Sequence, residues 1–277
     1  MLTRLLFLAG LILVNALFLM SAWPASIAVS ARPADFPLAF KSPPSEPEVT
    51  KPSGDAIALL DNAISALSPA RIPWLKVKIR QTMTAADSNF VADGFLQCGP
   101  NHCVRLVMGI ATGPQPSRLV VVSDGEVIVQ ARQISHQKPI TVIERLPAQG
   151  GADKEKFLAA KGCGGPHALL KQIQQQIKNA HVKTGLLGEN KVISVTGDLD
   201  LPPGGRAAVA SSVRSCIVQL DAKTLWPHRL EWHGPDLAGD SRMILRMEFL
   251  EPELHRRLSE QECIRIFSYT PNQDPGE

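Results

Sequence analysis

Five cysteines and seven histidines are the side chains in this 277-residue sequence that are best suited to nucleophilic, redox or metal chemistry. Cys163 and His167 have the spacing of a nucleophile and its base, but they lie in a glycine-rich break and no third group is indicated to orient the imidazole. The sequence contains no G-x-S-x-G elbow, Walker loop, H-E-x-x-H pair or C-x-x-C motif. It therefore predicts no catalytic residue, no metal site and no cofactor.

Cys98 and Cys103 flank four residues, 99–102, that have the composition of a tight turn. A hairpin at this turn places the two cysteines opposite each other, at about the separation that a disulfide spans. A metal site made of Cys98, His102 and Cys103 is the alternative, but it lacks a fourth ligand and its spacing matches no common zinc pattern. The favoured prediction is a Cys98–Cys103 disulfide.

The other three cysteines allow one further bridge at most. Cys216 and Cys263 both lie on predicted strands, where they either pair with each other or are separate core residues. Cys163 is left as the unpaired thiol. Such bridges form and persist mainly in exported proteins.

The segment 1–31 has the order of a secretory signal peptide. Arg4 is the only charge before a largely apolar run over 5–20. Small residues suited to a signal peptidase follow at Ala25, Ala28 and Ala31. An uncleaved signal anchor reaching Val29 is the alternative. The predicted location is extracytoplasmic, either periplasmic or secreted.

Composition indicates a flexible linker followed by one large domain. The segment 32–54 is rich in proline and predicts the linker, and 55–277 is the predicted domain. With 44% hydrophobic and 5% aromatic residues, the chain can bury a large core of mainly aliphatic side chains. The formal net charge of +3 is small and both signs are interspersed, so no nucleic-acid partner is predicted.

Hydrophobic periodicity predicts a mainly β domain with two helical regions. Apolar repeats of three and four residues predict a first helix over 57–67. A second, inserted helical region is predicted over 153–158 and, after a glycine break at 162–165, over 166–179. Alternating strand patterns occupy most of the rest, and 264–269 is the last predicted strand. The Asp124-Gly125 step between apolar runs predicts a tight hairpin. The predicted fold is α+β: a strongly curved antiparallel half-barrel of roughly ten strands, with an N-terminal helix and an inserted helix covering its concave face.

Several strings in this order resemble the outer-membrane lipoprotein carrier, or LolA-like, family over about 55–271. The segment 90–97 stands in the place of that family's glycine-containing second strand. The segment 119–128 is similar to its apolar strand, Ser-Asp-Gly turn and returning strand. A late strand, an Asp-containing turn and a Leu-x-Pro entry are similar over 218–231, and 267–271 looks like the last strand.

The resemblance implies an open half-barrel whose apolar interior holds acyl chains or other lipid groups, without enzymatic activity. The predicted function is an exported carrier or chaperone for a lipid or a lipoprotein. Contact with the membrane would be transient or through an uncleaved leader. The candidate wall residues of the apolar cavity, with plain core packing as the alternative for each, are Leu75, Val77, Ile79, Phe95, Val120, Val122, Leu245, Met247 and Phe249.

The turn after the second strand departs from the family pattern. The carriers place a basic residue there that helps to hold the closed, empty form, whereas this sequence has 99–102 bracketed by cysteines. Arg80 and Arg105 are candidates to replace it, with an ordinary solvent-facing position as the alternative for each. An envelope protein-interaction or sensor module of the same fold is the second predicted function, and an exported hydrolase is the third.

Overall fold

A computed structural model of the protein describes residues 53–85, 88–110, 117–134, 138–148, 150–200, 213–235, 239–254 and 257–269. The predicted signal peptide, 1–31, and all but the end of the predicted linker, 32–54, lie outside these residues. Within the described ranges, no helix combines the length and the apolarity that are needed to cross a bilayer.

A single antiparallel sheet of eleven strands dominates the described residues, in the order β6-β5-β4-β3-β2-β1-β11-β10-β9-β8-β7. The strands are β1 (Leu75–Ala85), β2 (Ser88–Cys98), β3 (Cys103–Ile110), β4 (Ser117–Asp124), β5 (Val127–Ile134), β6 (Ile140–Arg145), β7 (Ile177–Leu187), β8 (Asn190–Leu199), β9 (Ser215–Asp221), β10 (Pro227–Pro235) and β11 (Ser241–Leu254). The two ends of the chain's strand series meet in the middle of the sheet, where β1 pairs with β11. The predicted antiparallel, mainly β fold is confirmed.

Four helices accompany the sheet in the described part of the chain: α1 (Ser53–Ala66), α2 (Gly151–Ala160), α3 (Gly165–Gln176) and α4 (Glu260–Phe267). Helix α1 is the predicted N-terminal helix, and α2 and α3 form the predicted insertion. The buried side of α1 carries Ala56, Leu60 and Ala63 at helical spacing, and the helix packs on α3 and β7.

The sheet curves around α1, α2 and α3. Helix α1 packs on β7 at one edge of the sheet, and Lys161 at the end of α2 donates a hydrogen bond to Glu144 of β6 at the other edge. Three helices packed about 8–10 Å apart reach both edges of a sheet of eleven strands, about 4.8 Å apart, only if the sheet curves. Gly94 marks one place of close approach, because a β-carbon there would lie 1.9 Å from the carbonyl oxygen of Val107 on β3. We call the face towards α1, α2 and α3 the inner face and the opposite face the outer face.

The predicted Asp124-Gly125 hairpin joins β4 to β5. Gly125 has a φ of 93°, which favours glycine. The Asp124 side chain accepts hydrogen bonds from the backbone N–H groups of Glu126 and Val127, at 2.9 and 2.8 Å. Local turn chemistry therefore sets the register of this pair of strands.

The end of the domain differs from the prediction, because 264–269 is not a strand. Residues Glu260–Phe267 form helix α4, which starts with a capping box between Ser259 and Glu262. The alternation of apolar residues over Ile264–Phe267 suggested a strand, but the Ser-x-x-Glu capping signal just before it was the better guide. Strand β6 was also missed, because five of its six residues are exposed and no face is buried.

Candidate functional site

Six of the nine predicted cavity residues share the inner face near the centre of the sheet. On β1 and β11, Ile79 pairs with Phe249, and both face the helices. These residues are nearly completely buried, with exposed fractions of 6% or less, and are Leu75, Val77, Ile79, Leu245, Met247 and Phe249. The pairing brings together residues from β1 and β11, which are the first and the last strands along the chain. Their role as ligand contacts stays a prediction.

The other three predicted cavity residues lie on the outer face. In the register of β2, β3 and β4, Phe95 pairs with Val107, and Val107 pairs with Val120. Val122 follows Val120 by two residues and so faces the same way. Phe95, Val120 and Val122 therefore cannot line the same cavity as the six inner residues. The sequence showed which strands alternate, but not which face of each strand meets the helices.

Helices α1 and α3 cover the inner face tightly. Leu60 of α1 and Leu170 and Ile173 of α3 are buried in the same core as the six candidate residues. Gln174 of α3 donates a hydrogen bond to Asp61 of α1, which joins the two helices. Because these helices bury the six residues, we expect a ligand to reach them when one of the helices moves away from the sheet.

A buried polar group that sequence reasoning missed lies on the inner face of β10. Trp232 pairs with Leu245 and with Cys216, and only 2% of its surface is exposed. Its indole Nε1 has no hydrogen-bond partner among the described residues. By contrast, Nε1 of Trp226 donates to the carbonyl oxygen of Phe249 at 3.3 Å. An unpaired buried N–H of this kind costs about 1–3 kcal/mol and favours an acceptor.

The two candidate basic residues do not reach the inner face. Arg80 lies on the outer face, where its guanidinium donates to Asp93 at 2.7 Å. Arg105 donates to the carbonyl oxygen of Ile266 at 2.8 Å and so helps to hold α4 on the outer face. Burial lowers the pKa of Arg105, with a second contribution from the charge of Arg118. Neither arginine takes the place of the family's turn residue in this state.

In this structure all five cysteines are in the reduced form. Cys98 pairs with Val104 across β2 and β3, so its side chain is on the inner face with Val104, and the side chain of Cys103 is on the outer face. The register therefore does not support the predicted Cys98–Cys103 bridge. Cys216 is on the inner face of β9, whereas Cys263 is on α4 at the outer face. These two predicted partners are likewise separated by the sheet.

Cys163 and His167 do not have the protonation states of a reactive nucleophile and its base in this state. Burial raises the pKa of the Cys163 thiol and lowers the pKa of the His167 imidazole. Both shifts favour the neutral forms, the opposite of the thiolate and imidazolium that a reactive cysteine needs. Within the described ranges, no group of three or more His, Cys, Asp or Glu side chains could hold a metal ion. The absence of catalysis stays a prediction.

No protein-family model and no curated protein matches the sequence. Among solved structures, the chain is similar to a DUF1329 family protein from Desulfovibrio piger, with 5% identity and a TM-score of 0.35 over 76% of this chain and 97% of that one. It is also similar to an outer membrane lipoprotein-sorting protein domain from Vibrio parahaemolyticus, with 8% identity and a TM-score of 0.32 over 76% and 97% of the two chains.

A LolA superfamily protein from Nitrosomonas europaea is similar as well, with 10% identity and a TM-score of 0.29 over 77% of this chain and 97% of that one. The solved structures that are similar to this chain thus include the family that the sequence resembles.

Proposed function

We propose that this protein is a noncatalytic carrier that holds the acyl chain of a lipid or a lipoprotein against the inner face of its sheet. The observation that carries the proposal is the unpaired indole N–H of Trp232, which is buried on a continuous apolar face. An acyl chain that ends in an ester or amide carbonyl offers an apolar tail to that face and an acceptor to that N–H. The carrier would be the domain over 55–277.

The energetics of acyl-chain binding are sufficient on aliphatic walls alone. Each buried CH₂ contributes about 0.8 kcal/mol, so half of a chain of about sixteen carbons contributes roughly 6 kcal/mol before losses of freedom. A hydrogen bond from Trp232 to the carbonyl would also remove the cost of the unpaired donor, about 1–3 kcal/mol. Part of this gain must offset the movement of the helices that cover the face.

Helix α1 is the element whose movement would open the inner face with the least disruption. Its C-terminal end is joined to the sheet through residues 67–74, whereas α3 continues directly into β7 at Ile177. Moving α1 would expose the apolar surface that Leu60 and Ala63 now cover. Binding is therefore expected to increase amide exchange in α1 while β1 and β11 stay protected.

The proposed carrier acts outside the cytoplasm, because the sequence begins with the order of a secretory signal. The first test is to purify the domain from the extracytoplasmic fraction of an expressing host, extract it with organic solvent and analyse the extract by mass spectrometry. A stoichiometric lipid or acylated peptide is the expected result. A lipid-free protein that also fails to bind palmitoyl lysophosphatidylcholine would contradict the proposal.

A variant series tests the role of Trp232 with the same palmitoyl lysophosphatidylcholine probe. Trp232→Phe keeps an apolar ring and removes the N–H, so we expect the dissociation constant to rise about tenfold, which corresponds to about 1.4 kcal/mol. Arg80→Ala on the outer face is the control and should leave binding unchanged. Equal affinities for the wild type and Trp232→Phe would exclude the proposed hydrogen bond.

A second candidate function is that of an envelope protein-interaction module, and edge strand β6 favours it. Ile140 and Ile143 are 67% and 66% exposed. Strand β6 pairs with β5 along one edge, and no strand among the described residues pairs with its other edge. An extended peptide could add a strand at this edge. Ile143→Lys should then abolish capture of a protein partner and leave lipid content unchanged. The reverse result would favour the carrier.

A further inference from the structure

Four of the five cysteines lie at one end of the sheet, around the turn between β2 and β3. Cys98 ends β2 and Cys103 begins β3, and their side chains are on opposite faces. A different structural element reaches each of them. The connection between α2 and α3, which carries Cys163, covers the inner side, and α4, which carries Cys263, covers the outer side.

On the inner side, the start of α3, directly after the connection that carries Cys163, lies close to Cys98. A β-carbon added at Gly165 would lie 3.6 Å from the Cys98 sulfur and 3.2 Å from Leu96. Cys163 is two residues before Gly165, 3% exposed, and belongs to the same apolar core against which Cys98 packs. The thiol of Cys163 has only the carbonyl oxygen of Lys161, at 3.6 Å, as its described hydrogen-bond partner.

On the outer side, α4 is fixed over Cys103 by its last turn. Phe267 packs edge-on against Trp74, with ring centroids 5.8 Å apart. A β-carbon at Gly99 would lie 2.8 Å from the Phe267 ring and 3.4 Å from the β-carbon of Cys103, so that ring and Cys103 are close neighbours. Cys263 is one helical turn before Phe267 and is on the same side of α4.

The geometry points to two disulfides, Cys98–Cys163 on the inner face and Cys103–Cys263 on the outer face, with Cys216 left as a free buried thiol. Each bridge would tie a covering element to the same end of the sheet. Cys216 has no comparable neighbour, because it lies on β9 opposite Gly197 and Trp232. This inference is independent of the ligand proposed above.

The electrostatic neighbours of the thiols agree with this pairing. Burial raises the pKa of Cys163, and the nearby Cys98 raises it further. Burial also raises the pKa of Cys103 to about 11, and Cys263 is the next cause, followed by Asp124. Each thiol is therefore within electrostatic range of the cysteine assigned to it. Burial raises the pKa of Cys98 to about 12, so little of this thiol is ionised in the folded, reduced protein. Because a thiolate is the attacking group in disulfide exchange, Cys98 is expected to react slowly with a disulfide oxidant.

Formation of the bridges requires a disulfide oxidant, for which we name glutathione disulfide or a protein thiol–disulfide oxidoreductase. For each bridge, two protein thiols lose two electrons and two protons and form one S–S bond. One glutathione disulfide is reduced to two glutathione thiols in the same exchange. Burial raises the pKa of Cys98, Cys103 and Cys163, so each bridge includes at least one thiol that is slow to form a thiolate in the folded protein. We therefore place the exchange during folding, before α4 and the α2–α3 connection close over the cysteines.

If both bridges form, they fix one end of the sheet on both faces. The α2–α3 connection could not lift from Cys98, and α4 could not leave Cys103. Opening of the inner face would then be confined to α1 and to the other end of the sheet. The bridges would thus set which part of the helical cover can move.

The test is a disulfide map of the full chain, refolded from the reduced, denatured state in a glutathione redox buffer. Free thiols are alkylated and the protein is digested with trypsin without reduction. Cys98 and Cys103 share the tryptic peptide 81–105, Cys163 is in 162–171 and Cys263 is in 258–265. The expected product is one species in which 81–105 is joined to both other peptides, with Cys216 alkylated in 215–223.

Two single variants then assign the partners. Cys98→Ser should leave 81–105 joined to 258–265 alone, and Cys103→Ser should leave it joined to 162–171 alone. Cys216→Ser is the matched control and should leave the three-peptide species unchanged. The wild-type map does not depend on the variants, so a variant that fails to fold leaves the inference testable.

Three results would overturn the inference. The first is a free 81–105 peptide that carries an internal bridge, with Cys163 and Cys263 alkylated, which would restore the Cys98–Cys103 pairing. The second is alkylation of all five cysteines after refolding in the redox buffer. The third is a variant map in which Cys98→Ser loses the link to 258–265 and Cys103→Ser loses the link to 162–171. That map would assign the pairs as Cys98–Cys263 and Cys103–Cys163.

Discussion

The inner and outer faces of strand β1 differ in both burial and charge. Leu75, Val77 and Ile79 are buried beneath the helices, with exposed fractions of 6% or less. Their immediate neighbours point outward, and on that face Lys76 pairs with Glu253 at 3.0 Å. Burying an aliphatic side chain contributes about 1.5–3 kcal/mol, whereas an exposed ion pair contributes about 0–1 kcal/mol. The free energy of folding therefore comes mainly from the inner face.

The outer face is itself divided into two regions. Over β1, β10 and β11 it is a set of ion pairs, such as Arg229 with Glu248 at 2.9 Å. Over β3 and β4 it is apolar and is covered by α4, so that Val107 and Val122 are buried there. The difference shows that one eight-residue helix at the C-terminal end of the domain converts part of an exposed face into a small second core.

The largest expected effect is on the inner face, at Phe249. Phe249 is 1% exposed and packs edge-on against Trp226, with ring centroids 6.4 Å apart. We expect Phe249→Ala to lower the free energy of unfolding by about 3–5 kcal/mol, measured by urea denaturation. Leu250→Ala, at the next and exposed residue of β11, is the matched control and should change it by about 0.5 kcal/mol or less. Similar losses of stability for both variants would contradict the conclusion that the inner face supplies most of the free energy of folding.

A smaller and more local effect is expected in the second core, at Phe267. This ring fixes α4 against Trp74. Because α4 packs on the outer face and Phe267 is not part of the inner core, we expect α4 to separate from the sheet without unfolding it. In reduced protein, Phe267→Ala should raise amide exchange across 260–267 by about tenfold or more and leave β1 and β11 protected. Ile264→Ala, on the exposed side of the same helix, is the control. Equal loss of protection in β1 would show that the two cores unfold together.

The next effect concerns Asp221, which closes the turn between β9 and β10. Burial would raise its pKa, but hydrogen bonds from the backbone N–H groups of Thr224 and Lys223, the Thr224 hydroxyl and His228 outweigh it, so the pKa is lowered from 3.8 to about 2. The folded state thus binds a proton less readily than the unfolded state. The contribution of Asp221 is complete above about pH 4 and is lost as the pH falls towards 2.

The difference between 3.8 and about 2 corresponds to about 2–3 kcal/mol at most, because each pKa unit is about 1.4 kcal/mol. Urea denaturation of Asp221→Asn at several pH values should show a lower stability at pH 7 and a smaller loss between pH 4 and pH 2 than in the wild type. Parallel pH profiles for the two proteins would contradict the assignment to Asp221.

The smallest effect is expected for the ion pair between Arg80 and Asp93 on the outer face. Their side chains are 50% and 59% exposed, so water and salt screen their attraction. Arg80→Ala should lower the free energy of unfolding by about 0.5 kcal/mol or less, and added salt should reduce the difference further. A loss as large as that of Phe249→Ala would mean that the outer face is a main source of stability.

Local sequence patterns were sufficient for most of the fold. The period of two over 75–79, the period of three to four over 57–67 and the Asp124-Gly125 turn each report a local preference, and the structure confirms all three. Strand β6 and helix α4 were harder, because β6 buries neither face and α4 carries apolar residues in an alternating order. In both cases the pattern that burial normally imposes on a sequence was missing or misleading.

The candidate site was predictable only in part, for a related reason. Alternation shows that Val120 and Val122 share a face of β4, but it cannot show whether that face meets α3 or α4. The same limit applies to Trp232, whose strand was predicted while its unpaired N–H depends on the residues packed around it. The packing of helices on each side of the sheet decides which face of β4 is covered by which helix. Packing around β10 likewise decides whether the Trp232 N–H has a hydrogen-bond partner.

The amino-acid sequence by itself determined the secondary structure of most segments, the antiparallel pairing and the apolar character of alternate residues, because these depend on neighbours within a few residues. The tertiary structure decided the two faces, since the position of each helix is set by contacts between residues far apart in the chain. It also separated Cys98 from Cys103 and brought each towards a distant cysteine. The pairing of β2 with β3 places Cys98 and Cys103 on opposite faces of the sheet. The spacing of the two cysteines in the sequence does not show this, because the register of a strand is set by contacts with its neighbours in the sheet.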